Sequence, residues 1–248
     1  MWGQLPGVTI VAGVLAGYLV IGLPLSGVLG RGELRRRLTL EPWLRSHAYR
    51  QAIGRLWLLA GLSIGITGLA KVPLTALGLR APSMPAGDPA LLPGIVLLAA
   101  GAAILVVLAP GRRFGGSSAL LPSTSAERRL YAAVAVCAGV VEELLFRGFL
   151  IAYLTGAVGW SVQLAAVASA LAFGISHLSQ GALVALVAGI IGYGFAETYL
   201  LTGSLLVPVV VHLALDLRLL LIPSRQRRGS AALGSVVQEG ESALEPVT

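Results

Sequence analysis

The sequence predicts an all-α fold, a polytopic transmembrane helical bundle of about seven spans, and three observations carry that expectation. Of its 248 residues 56% are hydrophobic and only 12% charged, with a mean hydropathy of +0.86. A soluble domain of this length needs a charged surface that such a composition cannot supply. Apolar runs near the roughly 20 residues that cross a bilayer then recur along the chain. The basic residues, finally, fall between those runs. The net charge of +7 therefore reads as a topology signal rather than a nucleic-acid footprint, and the lipid bilayer is the expected partner, with no nucleic acid. The 32 glycines suit close helix approach, and Gly13-x-x-x-Gly17 and Gly61-x-x-x-Gly65 lie inside apolar runs. Cys137 is the single cysteine. It excludes an internal disulfide and a cysteine-rich metal site, and reads as a small core residue.

Residues 8–29 form the first expected span, without the charged start of a cleavable signal. The connection 31–55 carries Arg31, Arg35, Arg36, Arg37, Arg45, Arg50 and Arg55 against Glu33 and Glu41, which places it inside and the N-terminus outside. Residues 56–70 are a short second span, and the Pro/Gly-rich stretch 82–93 an external loop. Residues 91–108 are the third span. Arg112, Arg113, Arg128 and Arg129 bracket an inside loop. The fourth span covers 130–154, the fifth 160–178, the sixth 183–201 and the seventh 205–222. Arg225, Arg227 and Arg228 follow and put the C-terminus inside, in agreement with the first basic cluster. One membrane domain, 1–223, and a polar, disordered cytoplasmic tail, 224–248, result. No repeat of 20–50 residues is visible.

The fourth span carries Glu142, Glu143 and Arg147. Charge at bilayer depth costs from about 2.5 to more than 10 kcal/mol per group, so such groups face a protein interior or a wet cavity and mark function. At helical spacing Glu143 and Arg147 share a face, whereas Glu142 points about 100° away. Glu143–Arg147 reads as an internal pair and Glu142 as the chemical carboxylate. A structural ion pair alone would need no second glutamate.

Two of the three histidines, His177 and His212, lie in spans, and Asp216 follows His212 by four residues, so both can face one cavity. One buried histidine is commonly a hydrogen-bonded packing residue; two, beside Glu142 and Asp216, point to a site. Glu197 is equally compatible with a cavity and with the interface, and Arg218 reads as a side chain snorkelling to the headgroups. His47, in the basic connection, needs no special role. The set admits two routes to hydrolysis of an acyl bond. In one, Glu142 with His177 deprotonates a water while His212 and Asp216 face the oxyanion. In the other, Zn2+ held by Glu142, His177 and His212 activates it. The metal-free route is preferred, with no firm cofactor, because no His-Glu-x-x-His helix supplies paired ligands.

Three motifs in three spans, Glu142-Glu143-x-x-x-Arg147, Phe173-x-x-x-His177 and His212-x-x-x-Asp216, with Thr202-Gly203-Ser204 before the last, resemble the CPBP intramembrane proteases. These are the CAAX proteases and bacteriocin-processing enzymes also called the Abi family, often described as intramembrane metalloproteases. The likeness covers about residues 125–223 and says little about 1–124. It implies an endopeptidase in a prokaryotic cytoplasmic membrane, acting on membrane-associated proteins or peptides. It also implies Glu142 as the water-activating carboxylate, His177 as its assistant, and His212 and Asp216 on the oxyanion side. The last position is often Asn in that family, and an anionic Asp216 would repel an oxyanion. A proton-coupled transporter is the rival from another class, disfavoured because paired halves are not visible. A non-proteolytic immunity or binding protein of the same fold is the other. Substrate identity and oligomeric state have no signature here.

Overall fold

The computed structural model describes residues 2, 6–41, 43–83 and 121–221. The third expected span, most of the loops around it and the polar tail lie outside the described residues. The described residues are helical throughout, without a strand. They comprise α1 (Pro6–Gly17), α2 (Leu23–Leu40), α3 (Leu44–Leu69), α4 (Ser125–Glu143), α5 (Ile151–Gly156), α6 (Val162–Ser176), α7 (Ala182–Thr202) and α8 (Leu206–Leu217). Among them, four helices are long and apolar enough to cross a membrane: Pro6–Gly30, Leu44–Leu69, Val162–Gln180 and Ala182–Thr202.

Two expectations about element boundaries change. The basic segment 31–55 is helical on both sides of a break at Glu41–Trp43, since α2 runs on to Leu40 and α3 begins at Leu44. Arginine is a good helix former, and hydropathy marks where apolar character ends rather than where a helix ends. The seventh expected span contains a helix of only 12 residues, Leu206–Leu217, followed by a 3₁₀ turn at Arg218–Leu221.

The segment bearing the two glutamates is continuous from Ser125 to Gly156 but changes hand-hold midway. A π-helical stretch at Leu144–Leu150 joins α4 to α5. Such wide turns recur at functional sites. Its seven residues are all buried, and the Ser169 hydroxyl of α6 donates to the Phe146 carbonyl at 2.7 Å.

The start of α4 is fixed by side chains. Thr124 and Glu127 form a capping box, and Glu127 Oε2 also accepts from the Ser123 amide and hydroxyl at 2.6 and 2.8 Å. Arg45, at the start of α3, donates to both Glu127 oxygens at 3.0–3.1 Å, and the two side chains are only 10% and 8% exposed. The N-terminal half is thereby tied to the helix that carries the glutamates.

At the opposite end a short 3₁₀ turn, Leu74–Leu77, wedges against the π-helical stretch. Leu77 is fully buried, and a Cβ on Gly148 would come 2.8 Å from its carbonyl. The Arg80 Nε donates to the Gly203 carbonyl at 2.8 Å, and Tyr199 donates to the Ala76 carbonyl at 3.1 Å.

Outward faces of the spans are apolar, as at Val14, Leu29, Leu58 and Leu171, while Arg45, Glu127, Glu143, Arg147 and His212 are buried. Gly61 and Gly65 face outward with open space around them. The tight contact belongs instead to Gly174, where a Cβ would meet the Ala185 carbonyl at 2.8 Å and Gly189 Cα at 2.9 Å. Cys137 is half-buried and packs against the core.

Burial pushes the Glu127 carboxyl up, but the Ser123 and Thr124 hydrogen bonds and Arg45 outweigh it and hold it below the usual carboxylate range. A depressed carboxylate contributes stability that is present above its unfolded pKa and lost as pH falls through the folded value. Detergent-solubilised protein should therefore lose thermal stability as the pH is lowered through the carboxylate range, and Glu127→Gln should flatten that dependence. Arg45→Ala, which strips a buried carboxylate of its partner, should cost about 3–5 kcal/mol, read as a lowered midpoint of thermal unfolding.

Candidate active site

Glu142 and Glu143 are consecutive at the end of α4, so helical geometry turns them to different surroundings. Glu143 is completely buried and Glu142 is 25% exposed. Glu142 lines a cavity of about 270 Å³, shared with His177, His212 and Asp216. The four residues expected to do the chemistry are thus brought together from α4, the end of α6, and α8.

Glu143 and Arg147 form the expected pair, with Arg147 Nη1 donating to Glu143 Oε1 at 3.0 Å and both side chains fully buried. The pair does more than neutralise itself. Glu143 Oε1 also lies 2.8 Å from His212 Nδ1. A carboxylate paired with a guanidinium accepts, so the imidazole donates from Nδ1 and presents Nε2 to the cavity. Nε2 stands 3.9 Å from Glu142 Oε2 and 3.7 Å from Asp216 Oδ2. Reading α4 by its own periodicity could not find this contact, because His212 is 69 residues away.

Aromatic rings complete the support. Phe195 stacks on His212 at 5.5 Å with 17° between planes, and Phe173 meets it edge-on at 5.7 Å. The Arg147 guanidinium lies over both rings, 4.3 Å from Phe173 and 5.2 Å from Phe195, and its Nη2 donates to the Gly192 carbonyl at 3.0 Å. Cation–π attraction of this kind strengthens when water is excluded. A Cβ on Gly192 would come 2.9 Å from Nη2, so glycine leaves the guanidinium its place. Phe195 and Gly192 belong to no motif read from the sequence. A glycine and a phenylalanine in an apolar helix carry no signal of their own.

His177 caps the C-terminal end of α6. Its Nδ1 lies 2.8 Å from the Phe173 carbonyl and 3.1 Å from the Ser176 hydroxyl. A carbonyl can only accept, which fixes the proton on Nδ1 and leaves Nε2 as the acceptor of the neutral ring. Tyr131, Gln180 and Arg218 join the cavity wall as well. Arg218, carried by the 3₁₀ turn after α8, is among the lining residues. Glu197 is not among the residues lining this cavity.

Among the described residues no three His, Cys, Asp or Glu side chains stand close enough to hold one metal ion. As placed, Glu142, His177 and His212 do not make the three-ligand set that a catalytic zinc needs.

Residues 125–218 match the family described as Rce1-like, type II CAAX prenyl endopeptidase Rce1-like. No curated protein and no solved structure matches the chain.

The geometry assigns the two glutamates different burdens. Arg147→Ala should leave Glu143 buried without its counter-charge, at about 3–5 kcal/mol, and lower both yield and thermal stability. Glu142→Gln should unfold at the wild-type temperature. Differential scanning fluorimetry in detergent checks both, and equal losses would remove the division between them.

Proposed function

We propose that this chain is a membrane-embedded endopeptidase cutting peptide bonds of membrane-associated proteins or peptides, a reading supported by the match of residues 125–218 to the Rce1-like type II CAAX prenyl endopeptidase family. The observation that carries the reading is the presentation of His212 Nε2 between Glu142 and Asp216 while Nδ1 is held by the buried Glu143–Arg147 pair.

In this reading Glu142 takes a proton from water, and the hydroxide forms a bond to the scissile carbonyl carbon. His177, with Nε2 as acceptor, orients that water. When His212 is protonated, its Nε2–H donates to the oxyanion. Asp216, 3.7 Å from the same Nε2, favours the imidazolium form of His212 that makes this donation. Collapse of the tetrahedral intermediate breaks the C–N bond as the proton held by Glu142 passes to the leaving amine. General-base assistance contributes about 10²–10⁴-fold, so Glu142→Gln should lose at least about 100-fold.

The outside N-terminus, inside C-terminus and seven spans remain part of the proposal, supported by the two basic clusters at 31–55 and 225–228. The cytoplasmic membrane of a prokaryote is the proposed location. Reporter fusions should place Ser46, Ser118 and Ser230 inside and Gly87 outside; a cytoplasmic signal at Gly87 ends the seven-span arrangement.

Comparing protein termini in membranes of a deletion strain restored with wild type or with Glu142→Ala tests the activity and identifies substrates. New termini that depend on Glu142 are expected. Identical termini in both strains would leave a non-cleaving membrane protein of the same fold. Purified protein treated with a chelator should retain cleavage. Loss on chelation with return on zinc alone would make Glu142, His177 and His212 metal ligands.

A further inference from the structure

The cavity contains one cation that the proposed chemistry does not use. Arg218 lies in the 3₁₀ turn directly after α8 and lines the wall with Glu142, His212 and Asp216. One Nη donates to the Leu215 carbonyl. Its Nε is buried and, among the described residues, has no hydrogen-bond partner. No carboxylate among the described residues comes within ion-pairing distance of it. Asp216, two residues away, instead directs its Oδ2 toward His212 Nε2 at 3.7 Å. A guanidinium facing a cavity in a membrane protein, attracted by Asp216 but in no close ion pair, is costly and can take a further anion. The planar fork of arginine fits a carboxylate through two parallel N–H donors.

We infer that Arg218 is a specificity residue that binds a carboxylate of the substrate beside the bond to be cut. This rests on the endopeptidase reading. Extended chain rises about 3.3–3.6 Å per residue. A cavity of about 270 Å³ therefore separates the bound carboxylate from the attacked carbonyl by only a few residues. The carboxylate belongs either to the substrate's C-terminus or to an aspartate or glutamate side chain. Both present the same two oxygens to the fork. Glu142 and Asp216 would repel an anion that lacked this partner, so the cavity selects the position of the carboxylate as well as its presence.

The test uses full-length Glu142→Gln protein in detergent, which retains substrate geometry without cutting. The probes are pooled random octapeptides with a free C-terminus, the same pools amidated, and both again without Asp and Glu. Retention is read by mass spectrometry. Free-acid pools should be retained about 10-fold or more above amidated pools lacking Asp and Glu, Arg218→Gln should abolish the difference, and Arg218→Lys should keep part of it. If the Asp- and Glu-containing amidated pools are retained as well as the free acids, the side chain is the source; if they are not, the C-terminus is. Equal retention of all pools with Arg218 intact, including retention of none, overturns the inference. So does an Arg218→Gln protein of unchanged thermal stability that retains every pool as before and loses only co-purified anionic phospholipid. Cleavage of the pools by the protein with Glu142 restored reports on the endopeptidase reading separately, because binding can hold where cutting fails.

Discussion

The geometry of the candidate site depends on a single carboxylate oxygen. Glu143 Oε1 accepts from Arg147 at 3.0 Å and lies 2.8 Å from His212 Nδ1, so one atom links α4 to α8 and sets which ring nitrogen meets the cavity. A carboxylate this deeply buried is tolerable only because the guanidinium beside it is equally buried and itself supported by two aromatic faces and the Gly192 carbonyl. The ion pair consequently acts as a jig for an imidazole. Its net contribution to stability is a secondary matter, since replacing such pairs with apolar groups is often neutral. What an apolar replacement could not do is hold Nδ1.

The chain outside the motifs serves this geometry from both ends of the long broken helix. At one end Arg45 and Ser123 converge on Glu127 and fix where α4 begins. At the other, Leu77 and Gly148 leave no room for slippage along the π-helical stretch, while Trp2 packs edge-on against Phe149 and Tyr153 at 6.2 and 5.7 Å. A helix pinned at both termini can carry a wide turn between them without losing the register of Glu142 and Glu143. Trp2, Arg45, Leu77 and Ser123, which belong to no motif, are for this reason part of the scaffold around the cavity.

The fold class was legible because hydropathy is a local property. So were the residues that meet at the cavity, because charged and imidazole groups are conspicuous in apolar runs, and the i, i+4 relation of Glu143 to Arg147 survives the change from α to π winding. The different burial of Glu142 and Glu143 followed from angular separation alone. Contacts between distant segments were not legible. The grip of Glu143 on His212, the stack of Phe195 and the place of Arg218 in the cavity wall all arise from packing between helices, to which residue identity gives no pointer. The helical ends of 31–55 were missed for a different reason: arginine-rich sequence leaves the apolar pattern while keeping helix propensity.

The contact between α6 and α7 separates two compartments of different chemical character. Gly174 brings the two backbones together at Ala185 and Gly189. On one side lies an apolar groove of about 550 Å³ lined by Val167, Leu171, Ile175 and Leu186; on the other lies the polar cavity, reached through Phe173, His177, Val184 and Ala188. The two share no lining residue. A side chain at Gly174 would push the helices apart and join a wet compartment to a dry one, at the cost of desolvated polar groups on either side. The Phe173-x-x-x-His177 motif runs along this same helix. Its phenylalanine contacts Phe146, His177, His212 and Arg147, so the helix that divides the groove from the cavity is also the one that holds the rings in place.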